Sequence, residues 1–410
     1  MFREIRVKNF RTHVDTTLEL GAITLLIGPN NAGKTNFLAG ISHFSRLIAR
    51  GDRVAGDDLL PHVHRLASGS DLSASWVFTC PYCDMEYEIG LYEDKKFENG
   101  VGCREKISFT KKDGESESFE SGWTGRTDAM GLQHELGANP NTEHLCAVGD
   151  VFRDLGSCQA YHFQPAFLKG KAGQSEVFDD RSPLNVSTQL GYRGEHLQNV
   201  LHRVQQEDQR TYNRFVSALR RFEPSFQGLG YDEQLKQTTW LFDLGRVPPR
   251  PDEFPPDTVS DGILRAAAIS LLSSMEMPPA LIMIEEIENG ISQKNLGRFL
   301  GWLRQAAGLH DSSNRGYNTQ FILTSHSPSV LFEFSEHLDD VFYMRLERRG
   351  YKSVVRNLNS ALLGFVDLGT VEGEVEKRGG EDVVILSPQD LMNLWYSGVI
   401  GGEPVNEHKR

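Results

Sequence analysis

The sequence lacks the features that direct a chain to a membrane or to an oxidising compartment. No stretch of it approaches the about 18 uncharged apolar residues that a bilayer-spanning helix requires. The N-terminal segment MFREIRVKNF carries charges throughout and holds no apolar core of a signal peptide. The five cysteines are odd in number and scattered, so they do not make a disulfide framework. We therefore expect a cytoplasmic protein without a membrane partner.

Excess positive charge, sequence repeats and long heptad runs are also missing. The 56 Asp and Glu residues outnumber the 43 Lys and Arg residues, which gives a formal net charge of -13. This balance argues against a protein that coats nucleic acid by bulk attraction, although it leaves a local basic stripe open. No repeat of fixed period and no heptad run long enough for a coiled-coil arm occurs. Partners must therefore be inferred from sites.

The hydrophobic pattern predicts an α/β fold. Residues 3–27 alternate and then become solidly apolar, which predicts two edge-like strands and one buried strand. A helical spacing follows from Phe37 to Ile48, and residues 194–222 carry the clearest helical stripe of the chain. Beyond residue 260, predicted strands at 280–285, 320–325 and 340–346 alternate with predicted helices at 261–275 and 293–307. This order is typical of a parallel α/β unit.

The same pattern predicts a domain organisation. We expect one domain over residues 1–345, with its core at 1–50 and 158–345. Alternating strands predict a β insertion over about 76–125, and the polar stretch 126–157 is rich in loops. Residues 346–410 form a C-terminal extension of strands and a short helix, which is too short for a second catalytic domain.

A phosphate-binding loop is the most specific motif. GPNNAGKT, residues 28–35, matches G-x-x-x-x-G-K-[ST], follows the apolar strand ITLLI and precedes a helix. Gly28 and Gly33 allow the loop to wrap, so that backbone N–H groups and the helix N-terminus face phosphate oxygens. Lys34 is expected to reach the β and γ phosphates, and the Thr35 hydroxyl is expected to bind Mg²⁺. The motif predicts ATP and Mg²⁺ as cofactors.

Acidic and polar residues end two later strands. LIMIEE, residues 281–286, brings Glu285 and Glu286 to the end of an apolar run. A phosphate-loop site needs one carboxylate for the Mg²⁺ shell and a second group to orient or deprotonate water. We assign Glu285 to the metal and Glu286 to the water. His326 follows the strand FILTS and is a candidate to contact a γ-phosphate or to hold the water.

Four segments now resemble a known superfamily. GPNNAGKTN, VSDGILR, LIMIEEIENG and TSHSP occur here in the order in which ABC-type ATPase heads carry them. The chain most resembles the branch with RecF-like proteins, SMC-type heads and OLD ATPases, but without the Toprim nuclease that is fused to OLD ATPases. The resemblance implies an α/β P-loop NTPase fold with a mixed or parallel sheet, a β-rich lobe and an insertion.

The resemblance also implies how the site is assembled. Two protomers sandwich two nucleotides, so we expect a homodimer or higher homo-oligomer through the ATP sites. Ser260 and the backbone of Gly262 are implied to donate to the γ-phosphate that the partner protomer holds. Gln164 lies in the region of the Q-loop and is implied to touch Mg²⁺, with Gln159 as its rival. The nucleotide-binding residues implied in this way are Gly28, Asn30, Asn31, Ala32, Gly33, Lys34, Thr35, Asn36, Ser260 and Gly262.

The motifs depart from the superfamily at two positions. Asp261 stands where transporter ATPases have a second glycine. Glu285 stands where Asp is commoner, and its longer side chain would shift the metal slightly.

Two further patterns leave alternatives open. Cys80 and Cys83 in CPYC have zinc-knuckle spacing, but a plain hairpin turn is favoured over a zinc site. Four arginines on the predicted helix 194–222 would form one stripe, either for a nucleic-acid backbone or as salt-bridged surface. These arginines are Arg203, Arg210, Arg214 and Arg221.

Two functions fit the sequence. The first is an ATP-hydrolysing dimeric switch that acts with DNA or with a separate effector protein, as in DNA repair or anti-phage defence. The alternative is a nucleotide-dependent scaffold or sensor that oligomerises and holds a toxin or nuclease partner with little turnover. Glu286 favours the first function, because a protein that only binds ATP needs no second carboxylate.

Overall fold

The chain forms two units, which are residues 1–159 with 322–410 and residues 160–321. The computed structural model describes residues 1–50, 59, 61–64, 71–79, 83–94, 101–111, 114, 116–123, 145–171, 184, 189–247, 250–308, 319–347, 350–371, 373–378 and 380–400. No helix in these described ranges is both long enough and apolar enough to pass through a bilayer.

An antiparallel sheet of six strands belongs to the first unit. Its strands are β1 (Phe2–Phe10), β2 (His13–Glu19), β4 (Leu72–Thr79), β5 (Cys83–Glu93), β6 (Val101–Lys111) and β7 (Ser116–Trp123), in the order β2-β1-β4-β5-β6-β7. Alternate residues such as Ile5, Val7 and Ile107 are fully buried, as the period of a strand requires. Strand β4 begins at Leu72, four residues before the predicted start of the insertion. The strands of the insertion extend the sheet that β1 and β2 begin.

A second sheet of this unit holds the phosphate loop. It contains β3 (Ile23–Ile27), residues 322–325 of β13 (Gln320–Ser325), β14 (Val341–Glu347) and β15 (Lys352–Asn357), in the order β15-β14-β3-β13. All five residues of β3 are buried. Strand β14 is parallel to β3 and antiparallel to β15, so the sheet is mixed. The prediction of an α/β fold with a mixed sheet is confirmed.

Helices surround these strands. They are α1 (Lys34–Arg50), α2 (Leu145–Gly156), α8 (Pro328–Phe332), α9 (Leu358–Asp367) and α10 (Pro388–Tyr396). Helix α1 contacts α2, and the buried Ser45 hydroxyl donates to the Leu155 carbonyl at 2.5 Å. Strands β16 (Glu374–Arg378) and β17 (Glu381–Ile385) form a hairpin near α9. The predicted C-terminal extension is thus partly core, because β15 pairs with β14.

The second unit carries the acidic strand. Strand β12 (Leu281–Ile284) lies beside β8 (Gln159–Tyr161), and a three-stranded sheet has the order β11-β10-β9. The strands of that sheet are β9 (Phe226–Asp232), β10 (Gln237–Phe242) and β11 (Asp252–Phe254). The helices are α3 (Pro165–Leu168), α4 (Leu197–Glu207), α5 (Gln209–Phe222), α6 (Asp261–Ser274) and α7 (Gln293–Gly308). Strands β9 to β11 were not predicted from the sequence.

The predicted single helix over 194–222 was wrong. Asp208 leaves the helical region with φ -135° and ψ 79°, and its side chain accepts a hydrogen bond from the Thr211 N–H at 3.0 Å. Aspartate is a favoured N-cap, so one residue ends α4 and begins α5. The apolar stripe continues across the break, which is why the sequence suggested one helix.

Candidate functional site

The phosphate loop connects β3 to α1 with a backbone that requires glycine. Gly28 has φ 149° and Gly33 has φ 107°, conformations that residues with a Cβ rarely adopt. A Cβ at Gly28 would collide with the Met344 carbonyl oxygen, and one at Gly33 would collide with the Ser353 hydroxyl. The two glycines of the motif are therefore required by close approaches as well as by dihedral angles.

Lys34 lies over the loop. Its Nζ donates to the carbonyl of Gly28 at 2.6 Å and to that of Pro29 at 3.0 Å. Thr35, in the first turn of α1, is exposed, as are Asn30 and Asn31. The ammonium group, an exposed hydroxyl and the N–H groups of a helix N-terminus lie together here, and they are the donors that phosphate oxygens accept from.

His13 supports the loop from behind. It is fully buried, with Nε2 at 3.0 Å from the Gly33 carbonyl oxygen and Nδ1 at 2.9 Å from the Thr16 hydroxyl. Burial lowers the pKa of His13 to about 4, so the ring is neutral at neutral pH. Since a carbonyl can only accept, Nε2 carries the proton and the Thr16 hydroxyl donates to Nδ1. Sequence reasoning missed this histidine.

A polar network continues on the same side of the loop. The Ser353 hydroxyl lies 2.8 Å from the Ala32 carbonyl oxygen and 2.8 Å from the Thr12 hydroxyl. Asn36 donates to the Thr12 hydroxyl at 3.1 Å and accepts from Arg11 at 3.3 Å. Arg11 and Asn36 are thus hydrogen-bonded through their side chains, while a contact of Asn36 with a nucleotide stays a prediction.

Glu285 ends β12 as a buried carboxylate. Only 5% of the residue is exposed, and its N–H donates to the Tyr161 carbonyl at 2.8 Å. The Tyr192 hydroxyl donates to Glu285 Oε1 at 2.5 Å. Partial burial, reinforced by this carboxylate, raises the pKa of Tyr192, so the phenol stays protonated and remains a donor.

Glu286 follows in an unusual backbone conformation. Its φ is 48°, in the left-handed region that non-glycine residues seldom occupy. The Asn289 side-chain amide donates to Glu286 Oε2, and His162 Nε2 lies 3.9 Å from the same oxygen. Such strain persists where surrounding contacts enforce it, and it is concentrated at functional sites.

Arg265 enforces the turn after Glu286. Its guanidinium donates to the carbonyls of Glu286 at 3.1 Å and of Phe163 at 2.6 Å, although the residue is only 2% exposed. Burial lowers the pKa of Arg265 to about 10, against the opposing effect of nearby carboxylates including Glu288, so it remains charged at neutral pH. One buried side chain of α6 therefore joins this helix to two segments that carry predicted site residues.

The segment VSDGILR, residues 259–265, which we call the signature segment, leads into α6 beside that turn. Ser260 is the N-cap, and its hydroxyl accepts from the Ile263 N–H at 3.4 Å. Asp261 forms an ion pair with Lys169 at 2.7 Å, and a Cβ on Gly262 would lie 3.5 Å from the Gly290 carbonyl oxygen. The capping role of Ser260 is present, and donation to a phosphate by Ser260 or Gly262 stays a prediction.

Gln164 and His326 occupy positions next to regular elements. Gln164 is the N-cap of α3 and makes no side-chain cap bond, while its N–H donates to the Arg193 carbonyl at 2.9 Å. His326 is exposed and follows the last residue of β13 directly. Their predicted roles toward metal and phosphate are untested by these positions.

The residues that the sequence assigns to magnesium carry oxygen donors. Within the described ranges, no three or more His, Cys, Asp and Glu side chains group so that they could hold a metal ion. Mg²⁺ is usually held by one or two protein oxygens together with phosphates and water, and the Glu285 carboxylate and the Thr35 hydroxyl are each an oxygen ligand of the kind that it prefers. Cys80 lies outside the described residues and only the backbone of Cys83 is described, so the zinc prediction rests on sequence.

The predicted arginine stripe is divided by the break at Asp208. Arg203 lies on α4 and pairs with Glu207 at 3.1 Å, whereas the other three arginines lie on α5. Arg210 is 3.9 Å from Glu276. The prediction of one continuous stripe on one helix was therefore wrong, and Arg203, whose side chain is only 11% exposed, is salt-bridged to Glu207.

Two family models match the chain. The model described as "AAA domain, putative AbiEii toxin, Type IV TA system" matches residues 159–331, and the model "AAA ATPase domain" matches residues 1–59. Residues 1–59 and 159–331 are thus similar to AAA ATPase domains. The second match contains the phosphate loop, and the first contains the acidic pair and the segment VSDGILR. The predicted resemblance is confirmed at this level.

Solved structures that the chain matches include heads of SMC proteins. The SMC head domain from Thermotoga maritima is 13% identical, with a TM-score of 0.40, over 87% of this chain and 98% of that chain. The SmcHead bound to the C-winged helix domain of ScpA is 12% identical, with a TM-score of 0.46, over 88% and 99%. The Smc head with an extended coiled coil, bound to the C-terminal domain of ScpA from Pyrococcus furiosus, is 11% identical, with a TM-score of 0.41, over 90% and 99%. A comparison with curated proteins found no match.

Sequence reasoning missed three residues around the acidic pair. They are His162, Tyr192 and Arg265. His162 and Arg265 lie inside segments already singled out for Gln164 and Ser260. Tyr192 precedes a helix that was recognised only by its apolar stripe, and no local signal connects it with Glu285.

Proposed function

We propose that this protein binds ATP with Mg²⁺ and hydrolyses it as a dimeric switch. The loop residues Gly28 to Asn36 bind the phosphates, with Lys34 compensating their charge. Thr35, Glu285 and Gln164 provide oxygen atoms for Mg²⁺. When bound, this ion neutralises negative charge that develops on the phosphates.

The conformation of Glu286 carries the proposal of hydrolysis. Its left-handed backbone and the Asn289 amide direct a second carboxylate just beyond Glu285, at a cost of about 1–3 kcal/mol for the strain. A protein that only binds nucleotide has no use for such an arrangement. Glu286 accordingly orients water or accepts its proton, and His326 assists at the γ-phosphate.

The switch acts through association of two protomers in the cytoplasm. Ser260 is exposed at the start of α6, where its hydroxyl and the N–H of Gly262 can reach a phosphate held by a second protomer. ATP binding then brings the two protomers together, and hydrolysis releases them. The output is passed to a separate effector, a nuclease or toxin, or to DNA, as in repair or anti-phage defence of the OLD type.

A second function is favoured by one observation. The description of the model matched at residues 159–331 names a toxin and a type IV toxin–antitoxin system. In this alternative the protein binds ATP, oligomerises and holds a toxin partner with little turnover. Purification with the proteins encoded beside it, with and without ATP, separates the two functions by the partner retained.

Substitution of Glu286 by Gln tests the hydrolytic role. The amide keeps the size of the side chain but cannot accept a proton, so turnover should fall by about 100-fold or more, the usual contribution of a general base. ATP affinity should remain, because the phosphate loop is intact. Radiolabelled phosphate release and equilibrium ATP binding measure the two quantities.

The Lys34→Ala variant provides the matched control. It should lose ATP affinity as well as turnover, because the loop loses its cation. Turnover of the Glu286→Gln protein equal to that of the wild type would exclude Glu286 as the base.

A further inference from the structure

A tyrosine outside every recognised motif is hydrogen-bonded to the proposed metal carboxylate. Tyr192 is 46% exposed, yet its hydroxyl lies 2.5 Å from Oε1 of the buried Glu285. A tyrosine with this much exposure can satisfy its hydroxyl with water. Burial of the tyrosine therefore does not explain why its hydroxyl is hydrogen-bonded to Glu285.

The backbone of Tyr192 and Arg193 is hydrogen-bonded to the segment that follows β8. The Tyr192 carbonyl accepts from the His162 N–H at 2.8 Å, and the neighbouring Arg193 carbonyl accepts from the Gln164 N–H at 2.9 Å. Arg193 is held in turn, since its Nε donates to Glu195 Oε1 at 2.6 Å. These hydrogen bonds fix the backbone of Tyr192 next to the segment that follows β8. The position from which the phenol side chain extends is therefore defined.

The ring of Tyr192 also stacks on His162, which lies near Glu286. It is nearly parallel to the His162 ring, with centroids 6.2 Å apart and an angle of 25°. His162 Nε2 is 3.9 Å from Glu286 Oε2. Tyr192 therefore contacts Glu285, and His162, which stacks on the Tyr192 ring, lies near Glu286.

We propose that Tyr192 is a positioning residue that orients Glu285 for Mg²⁺. A buried carboxylate needs hydrogen-bond donors to replace the water that burial removes, and a donor on one oxygen also fixes the plane of the group. Partners that orient a metal ligand in this way typically change metal affinity or activity by about 10–100-fold when they are removed. The inference rests on the proposed function, because it takes Glu285 as the carboxylate on the metal side.

The Tyr192→Phe variant removes only the hydroxyl and keeps the ring beside His162. We expect Mn²⁺, used as a paramagnetic substitute for Mg²⁺, to bind the complex of protein and ADP about 10–100-fold more weakly. The Mg²⁺ concentration for half-maximal turnover should rise by a similar factor. ADP affinity measured without metal should stay unchanged, since the phosphate loop is not altered. Electron paramagnetic resonance titration gives the Mn²⁺ affinity independently of turnover.

Tyr231→Phe is the matched control. Tyr231 stacks on His202 with a centroid distance of 4.1 Å, and this variant should bind Mn²⁺ as the wild type does. A merely structural role for the Tyr192 hydroxyl would lower stability without moving the metal affinity of the folded protein.

Glu285→Gln separates the two ways in which the inference can fail. If Glu285→Gln weakens Mn²⁺ binding and Tyr192→Phe leaves it at the wild-type value, the positioning role is excluded and the proposed function stands. If Glu285→Gln also leaves Mn²⁺ binding unchanged, the assignment of Glu285 to the metal fails, and the inference fails with it.

Discussion

His13, the neutral histidine beneath the phosphate loop, makes the free energy of unfolding depend on pH. His13 donates from Nε2 to Gly33 and accepts at Nδ1 from Thr16, and a second proton would fill the accepting nitrogen. Burial keeps the pKa of His13 at about 4 in the folded state, while an unfolded histidine has a pKa of about 6.5. The unfolded chain binds more protons between these values, so this group makes folding less favourable as pH falls from about 6.5 to about 4.

The His13→Gln variant tests this linkage. In the wild type, the free energy of unfolding should decrease by about 2 kcal/mol through this group between pH 7 and pH 5. Glutamine can still donate to the Gly33 carbonyl but does not titrate, so the variant should lose that part of the pH dependence. Urea unfolding at the two pH values measures the difference. Equal pH slopes for wild type and variant would show that His13 does not titrate in this range.

At the scale of elements, one aspartate decides where two helices meet. Asp208 ends α4 and caps α5 through Thr211, and these hydrogen bonds lower the pKa of its carboxyl group. The break also separates Arg203 from the arginines of α5, which removes the regular spacing that a single helix would have given them. The cap at Asp208 therefore determines where the arginines lie on the surface as well as where the two helices meet.

Replacement of Asp208 by Ala should destabilise the protein by about 1 kcal/mol, the usual value of an N-cap. The free energy of unfolding in urea measures this change. The Asp208→Asn variant keeps an acceptor oxygen and should remain within a few tenths of a kcal/mol of the wild type. A loss as large in the Asp208→Asn variant as in the alanine variant would mean that charge, rather than the cap, stabilises this helix start.

At the scale of the whole molecule, the proposed switch requires association of two chains. Ser260→Asp keeps a capping acceptor at α6 but places a negative charge where a phosphate of the second protomer is proposed to bind. In a Glu286→Gln background, ATP should convert the protein to a dimer, and the added Ser260→Asp change should leave it monomeric with ATP affinity retained. Light scattering after size-exclusion chromatography measures the mass.

The matched control carries the same substitution at another helix start. Ser387 caps α10 through the Asp390 N–H at 3.2 Å, and Ser387→Asp should leave ATP-dependent association unchanged. If Ser260→Asp dimerises as readily as this control, the signature segment does not contact the nucleotide across the dimer.

The sequence alone identified the phosphate loop, the acidic strand end and the start of α6. These features depend on neighbours in the chain: glycine conformations in the loop, an apolar run before Glu285 and the cap at Ser260. For the same reason the boundaries of β13 and α6 agree closely with the prediction.

Only the tertiary structure revealed what holds these motifs in place. Ser353 contacts Ala32 across 321 positions, Tyr192 contacts Glu285 across 93, and Arg265 contacts Phe163 across 102. Such contacts depend on which strands and turns become neighbours, and that choice is made by burial of the whole core rather than by local sequence. The sequence by itself therefore determined which groups meet the nucleotide in the proposal, whereas the folded chain decided which residues orient them.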